Sequence, residues 1–461
     1  MYELTMAQGY FLTGRKNETA VFDYLFRNNP FEGAFVVFAG LRDLLEVLEG
    51  ISFYPEEIDY LRSQGFKDEF LEYLKDFKFS ANIYSVEEGE IVFPYAPVLR
   101  VEGTIIETQL IETLVLNYLN FESLIATKAA RIRLAAGNRM FVDFGLRRAQ
   151  GLGGIHGSRA AVIGGADATS NVYSGYKFDL KISGTQAHSW IQSFEDELTA
   201  FRKFAELYPD NCILLIDTYD TLNSGISNAI TVAKEMDKRG QRLKGIRLDS
   251  GDLAYLSKKV RKILNESGLE YVKIVASNQL DEYVIQSLIN QGAPIDIFGV
   301  GTSLITGSPS AALDGVYKVC MTNKIARLKI SENIEKIILP GIKKVVRLLD
   351  REGKFAGDGI SLEEEQEPER IFHPHQPEKS TYITEYKKEP IMNKVMDKGN
   401  ICIQKKSPEK ISQFAKKRLA KLPDEHKRFE HPHIYKVGIS EKIMKLRNEM
   451  IENIRTKMQT R

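Results

Sequence analysis

Along the middle of the chain, short apolar runs alternate with stretches of helical spacing. "MFVDFGLRRAQ", "FDLKISGTQAHSW", "CILLIDTYDTLNSG", "LKGIRLDSGDLAYL", "VKIVASNQLDEYVI" and "IDIFGVGTSLITG" each start as a strand and close on small or polar residues. A helical pattern follows each one. From Asp217 the repeat is roughly thirty residues, the length of one βα unit. Strands that are apolar throughout are buried on both faces, which predicts a parallel sheet covered by helices. The carboxyl ends of such strands converge on one face, where ligands bind. Here those ends carry the polar residues.

The flanking regions have a different texture. "TAVFDYLF", "GAFVVFAG" and "APVLRVEG" read as β segments, interleaved with amphipathic helices such as "LRDLLEVLEG". "IIETQLIETLVLNYLNFESLIATKAARIRLAAG" has helical spacing almost throughout and predicts a pair of connecting helices ending at Gly137. Beyond about residue 320 the pattern loosens. "KKVVRLLDREGKFAGDG" predicts a hairpin, "SLEEEQEPER" an exposed acidic connector, and two later stretches charged surface helices.

Composition narrows the function classes. A chain of 461 residues with 43% hydrophobic and 27% charged content suits a globular protein of two or three domains. Lys+Arg of 63 against Asp+Glu of 62 gives +1, so no overall field draws it to nucleic acid or membrane. An anionic ligand must then be held by a local site. Cys212, Cys320 and Cys402 form no CxxC pair and fit a reducing compartment. "MYELTMAQGY" lacks a signal-peptide pattern and no apolar run has bilayer length, so a cytoplasmic location is expected.

Candidate chemistry sits at the strand ends. Gly299, Gly301, Thr302 and Ser303 make a Gly-rich turn before a helix, either a phosphate cradle or simply a tight turn. "GLGGIHG" lacks the strand, helix and acidic partner of a dinucleotide fingerprint and reads as a loop beside Arg147 and Arg148. Phe144 and these arginines offer a stacking face and an anion clamp, or else a core aromatic with surface cations. Arg247, Asp249 and Asp252 crowd one strand end, with Asp217 and Asp220 at an earlier one. Carboxylates there meet phosphates through Mg²⁺ or bind sugar hydroxyls, while Ser250 and Asp220 also suit helix caps. His188 stands at a strand-to-helix corner, as a nucleophile or acid/base, or as a structural imidazole. The two "HPH" runs, at His373 to His375 and His431 to His433, lack a ligand set, so no metal ligands are predicted.

Together, "YELTMAQGYF", "DFGLRRAQG", "SRAAVIGGADATSNV", "GTQAHSW", "IDTYDT", "GIRLDSGDL" and "GVGTSL" resemble the nicotinate phosphoribosyltransferase family, in order from the first residues to about Leu313. The resemblance implies an α/β fold with an irregular, incomplete (β/α) barrel and a flanking domain built from both chain ends. On that basis residues 1–120 form an N-terminal α/β domain and 121–325 the catalytic domain, with 326–461 packing back on the first. It implies synthesis of nicotinate mononucleotide and pyrophosphate from nicotinate and phosphoribosyl pyrophosphate, coupled to ATP hydrolysis, as an entry to NAD biosynthesis. Mg²⁺ and a homodimer with shared active sites are implied too.

By motif, the resemblance places a phosphohistidine at His188, with Asp217 the candidate acceptor on its second ring nitrogen. It puts the pyridine between Phe144 and Tyr2 of a neighbouring subunit, with Asp167 facing it. Arg247 and Thr185 would hold the nicotinate carboxylate, and Arg147 with Gly301–Thr302 the ribose 5-phosphate. Asp249 would meet ribose hydroxyls or metal. A nicotinamide- or quinolinate-specific transferase is the nearest rival, and a non-catalytic phosphosugar-binding protein a rival of another class. His188 argues against the quinolinate enzyme, which needs no ATP, and against a binder, which needs no nucleophile.

Overall fold

The computed structural model describes residues 1–330 and 338–459. The chain divides into two compact units. One is Met1–Leu124, Ala312–Lys406 and Gln413–Arg461; the other is Ile125–Ala311 with Ser407–Ser412. The expected C-terminal segment, 326–461, includes residues 331–337 and 460–461, which lie outside the described residues.

In the first unit both ends of the chain share one antiparallel sheet of seven strands. Thr19–Phe26 lies between Gly315–Thr322 and Leu99–Thr104. Its side chains are buried at all but the first position, so alternation gives way to a continuous apolar run with Asp23 inside it. That carboxylate is paired with Lys343 at 2.7 Å, and both side chains are fully buried. A buried charge is tolerable only when it is paired in this way. The predicted hairpin is present as Lys343–Leu349 against Phe355–Leu362 in a second sheet.

Three expectations for this unit need correction. "GAFVVFAG" supplies only the two-residue strand Val36–Val37. The acidic connector is not wholly exposed: Glu365 is buried and accepts from Ser440 Oγ at 2.7 Å. The helix Pro408–Lys421 is charged yet buries Arg418, which pairs with Glu90 at 2.8 Å and Glu389 at 2.9 Å.

The second unit is the predicted α/β region. Its strands are β1 (Met140–Asp143), β2 (Ala168–Thr169), β3 (Ile213–Leu215), β4 (Gly245–Leu248), β5 (Lys273–Ser277) and β6 (Ile297–Val300). All pair in parallel, in the order β2-β1-β6-β5-β4-β3. The sheet is a half-barrel whose outermost strands are β2 and β3. Amphipathic helices follow the strands, Ile226–Lys238 after β3, Leu253–Glu266 after β4 and Glu282–Asn290 after β5.

Two local readings differ here. "GLGGIHG" is no loop: Gly153–Gly164 is a helix, its small residues buried against neighbours. The strand expected before His188 is reduced to one parallel bridge, Thr169 to Ile182. A run as short as "LKI", with Lys181 and Ile182 themselves exposed, buries too little to hold a full strand.

Candidate active site

Asp217, Arg247, Ser277 and Gly301 lie at or just beyond the carboxyl ends of neighbouring strands. Parallel pairing sets Val275 of β5 beside Arg247 of β4, and Ser277 beside Gly299 of β6. Residues distant in sequence therefore meet without any further device.

Arg247 is the hub. Its Nε donates to Ser277 Oγ at 2.8 Å, one terminal nitrogen to Asp249 Oδ1 at 2.7 Å, and the other to Thr185 Oγ1 at 3.3 Å. Ser277 Oγ in turn donates to Asp249 Oδ1. The guanidinium lies over the Phe144 ring, 5.4 Å from its centre. Glycine at 299 is a steric requirement, because a Cβ there would meet two Phe144 ring carbons at 2.5 Å. Phe144 continues from β1, its N–H donating to Val300 O at 2.8 Å.

His188 opens the short helix His188–Gln192, which Trp190 anchors by donating to Ala200 O at 3.1 Å. The imidazole is 40% exposed, not packed away. Its Nδ1 is 3.1 Å from Thr218 Oγ1, and its Nε2 stands 3.8 Å from Asp249 Oδ2. This corrects the partner expected for the second nitrogen: Thr218 Oγ1, not Asp217, lies within hydrogen-bond distance of it. Asp217 is engaged elsewhere, its Oδ2 accepting from Asp249 N–H at 2.8 Å and Ser250 Oγ at 2.6 Å. Ser250 thus supports a carboxylate and does not cap a helix. Asp217 Oδ1 is buried and, among the described residues, has no hydrogen-bond partner.

The capping reading holds for Asp220, and Asp252, expected in the cluster with Arg247 and Asp249, is a helix cap as well. Asp220 accepts from Leu222 N–H at 3.1 Å and Asn223 N–H at 2.9 Å, and Asp252 caps Leu253–Glu266 through Tyr255 N–H at 3.0 Å. The backbone N–H of Asn223 holds the Asp220 carboxyl below its ordinary range. These two carboxylates are spent on local structure.

Gly301 and Thr302 begin the short helix Thr302–Ile305. Gly145 abuts Ile305 of that helix, a Cβ on it falling 2.4 Å from Ile305 Cβ. The exposed turn Leu146–Arg148, carrying Arg147, follows at once. Beneath it the fully buried Asp143 accepts from Gly145 N–H, Ser158 Oγ and Thr169 Oγ1, each at 2.8 Å. Burial still raises its carboxyl above the ordinary value.

Asp167 precedes β2, its carboxylate taken by Arg133 and by Phe141 N–H at 2.9 Å. Phe141 is the second residue of β1, and the parallel register runs from it through Phe298 and Ala276 to Leu248, the neighbour of Arg247. Tyr2 belongs to the first unit, where it opens the helix Tyr2–Leu12 and is 50% exposed. Conversely, Thr218, Ser277 and Asp143 escaped the sequence reading. Each is in or beside a motif it used, and their position at strand ends was the available signal.

A cation, carboxylates, an imidazole and a helix-start turn on one sheet edge are suited to binding and transferring phosphorylated groups. Comparison with known proteins gives that chemistry a family. The nicotinate phosphoribosyltransferase (NAPRTase) N-terminal domain matches residues 1–120, the NAPRTase family model 140–338, and the C-terminal domain 342–447. The nicotinate phosphoribosyltransferase of Bacillus subtilis is 42% identical over 470 residues, covering 100% of this chain and 96% of that protein. The crystal structure of human nicotinic acid phosphoribosyltransferase superposes with a TM-score of 0.87 at 30% identity, covering 97% of this chain and 99% of that one. The nicotinate-nucleotide pyrophosphorylase structure from Pyrococcus furiosus shares the fold, with a TM-score of 0.72 at 24% identity over 91% of this chain and 94% of its own. The chain belongs to the nicotinate phosphoribosyltransferase family.

Proposed function

We propose that this protein joins nicotinate to the ribose of phosphoribosyl pyrophosphate and couples that step to ATP through a phosphorylated His188. The observation that carries the reading is one carboxylate, Asp249, facing both His188 Nε2 and Arg247. In the tautomer whose Nδ1–H donates to Thr218 Oγ1, the lone pair is left on Nε2. Nε2 attacks the terminal phosphorus of ATP; an N–P bond forms, the P–O bond to the β-phosphate breaks, and ADP leaves. Hydrolysis of that bond later returns phosphate.

In the glycosyl step, the pyridine nitrogen bonds to the ribose anomeric carbon as the bond to pyrophosphate breaks. Positive charge builds on the sugar, as in other glycosyl transfers. Arg247 and Thr185 hold the nicotinate carboxylate, Phe144 stacks on the ring, and Arg147 with Gly301–Thr302 holds the 5-phosphate. Asp249 faces ribose hydroxyls. Asp167 faces the pyridine, its carboxylate held in place by Arg133 and by Phe141 N–H at 2.9 Å.

The oxygen-donor set suits Mg²⁺: Asp217 Oδ1 lacks a partner and the Asp249 side chain is 29% exposed. Asp217 and Asp249 would hold the ion, which neutralises the pyrophosphate leaving group when bound. The reading includes a homodimer, with Tyr2 of a second copy closing the pyridine slot. It places the protein in the cytoplasm, in NAD biosynthesis from salvaged nicotinate. Among the described residues, no helix is long and apolar enough to cross a membrane.

The deciding experiment supplies nicotinate, nicotinamide and quinolinate separately with phosphoribosyl pyrophosphate, with and without ATP. Nicotinate alone should yield mononucleotide, faster with ATP. Preference for either other pyridine would reject the reading.

A further inference from the structure

Ser277 has no place in the chemistry derived so far, yet it is built into the centre of it. It ends β5, the strand between Arg247's β4 and Gly299's β6, and is 2% exposed. Its hydroxyl accepts from Arg247 Nε and donates to Asp249 Oδ1. A hydroxyl has one proton and two lone pairs, so both bonds stand at once. With the Arg247–Asp249 pair they close a triangle of three side chains.

The chemistry of that triangle matters. An arginine fully enclosed by carboxylates has no charge left for an anionic ligand. Here a neutral hydroxyl satisfies Nε, so Asp249 is the only acid paired with Arg247 among the described residues. The remaining edge of the guanidinium reaches Thr185 by a long 3.3 Å bond, one that a better acceptor can replace. Without the hydroxyl, Arg247 would be free to pivot about its bond to Asp249, and that edge would leave the corner beside Phe144.

We infer that Ser277 is a positioning residue that aims the free edge of Arg247 at the carboxylate of the pyridine substrate, and so sets preference for an acid over its amide. The inference rests on the proposed role of Arg247 and deepens it.

The test is Ser277→Ala, with steady-state kinetics for nicotinate, nicotinamide and phosphoribosyl pyrophosphate, alongside thermal melting. Loss of a hydrogen bond to a charged group predicts a nicotinate KM raised about tenfold or more. The ratio of kcat/KM for nicotinate over nicotinamide should fall by a similar factor, while the KM for phosphoribosyl pyrophosphate stays within about twofold. An unchanged nicotinate KM, or a parallel rise in both KM values with a lowered melting temperature, overturns the inference alone. Failure of the wild type to use nicotinate overturns the functional reading itself and this inference with it.

Discussion

His188 Nε2 stands 3.8 Å from Asp249 Oδ2, while Asp249 Oδ1 is held by Arg247 at 2.7 Å. A histidine and an arginine thus lean on opposite oxygens of one carboxylate. Any charge placed on Nε2 is felt by Asp249 and passed to the guanidinium beyond. A phosphoryl group there would repel the carboxylate and draw in cations, which is a physical route from ATP to substrate affinity.

His188→Ala should abolish incorporation of label from γ-³²P-ATP into an acid-labile, base-stable adduct. If phosphorylation couples to substrate binding with the usual ~1–3 kcal/mol, the mutant loses an ATP effect of roughly 5- to 150-fold on KM. A mutant that keeps full ATP stimulation would remove the covalent role.

Asp249→Asn keeps the shape of the side chain and removes its charge. Hydrogen bonds to charged groups contribute ~1.5–3 kcal/mol, so kcat/KM should fall about ten- to hundredfold. If Asp249 and His188 act as a unit, the double mutant should be scarcely worse than the poorer single one. Fully additive losses would show that the 3.8 Å approach carries no coupling.

Much of this site was legible because strand ends in a parallel sheet converge by topology. Asp217, Arg247 and Gly301 could be placed on one face from the apolar runs that precede them. The partners of each side chain were not legible. Thr218 and Asp217 are neighbours in "IDTYDT", and only the backbone direction decides which one meets the imidazole. The glycines of "GLGGIHG" suggested a loop, but burial against close neighbours gives small residues a packing reason inside a helix.

Gly299→Ala tests the wall behind Phe144. The new methyl would lie 2.5 Å from ring carbons Cδ2 and Cε2, so the ring must move. Overpacking of this kind costs about 1–3 kcal/mol. Thermal melting should register that loss, and nicotinate KM should rise as the stacking face shifts. A variant with wild-type melting and KM would mean that Phe144 yields without consequence.

His426 in the first unit makes stability depend on pH. It is 6% exposed, Nδ1–H donating to His433 O at 2.6 Å, with its ring 5.5 Å from that of Tyr435. Burial, chiefly, lowers its pKa below the ordinary histidine value of 6.5; the hydrogen bond to the His433 carbonyl and the charge of Glu425 oppose the shift, and the His433 and Arg428 charges add to it. The unfolded chain therefore takes up the proton first. Stability is complete above 6.5 and is lost as pH falls from there through the folded-state value. His373 is shifted in the same direction, again chiefly by burial, so the two act together. Melting temperature should drop between neutral and mildly acid pH, and His426→Gln should flatten that limb while costing stability at neutral pH. Identical slopes in the two proteins would mean that the buried imidazole accepts its proton without opening the fold.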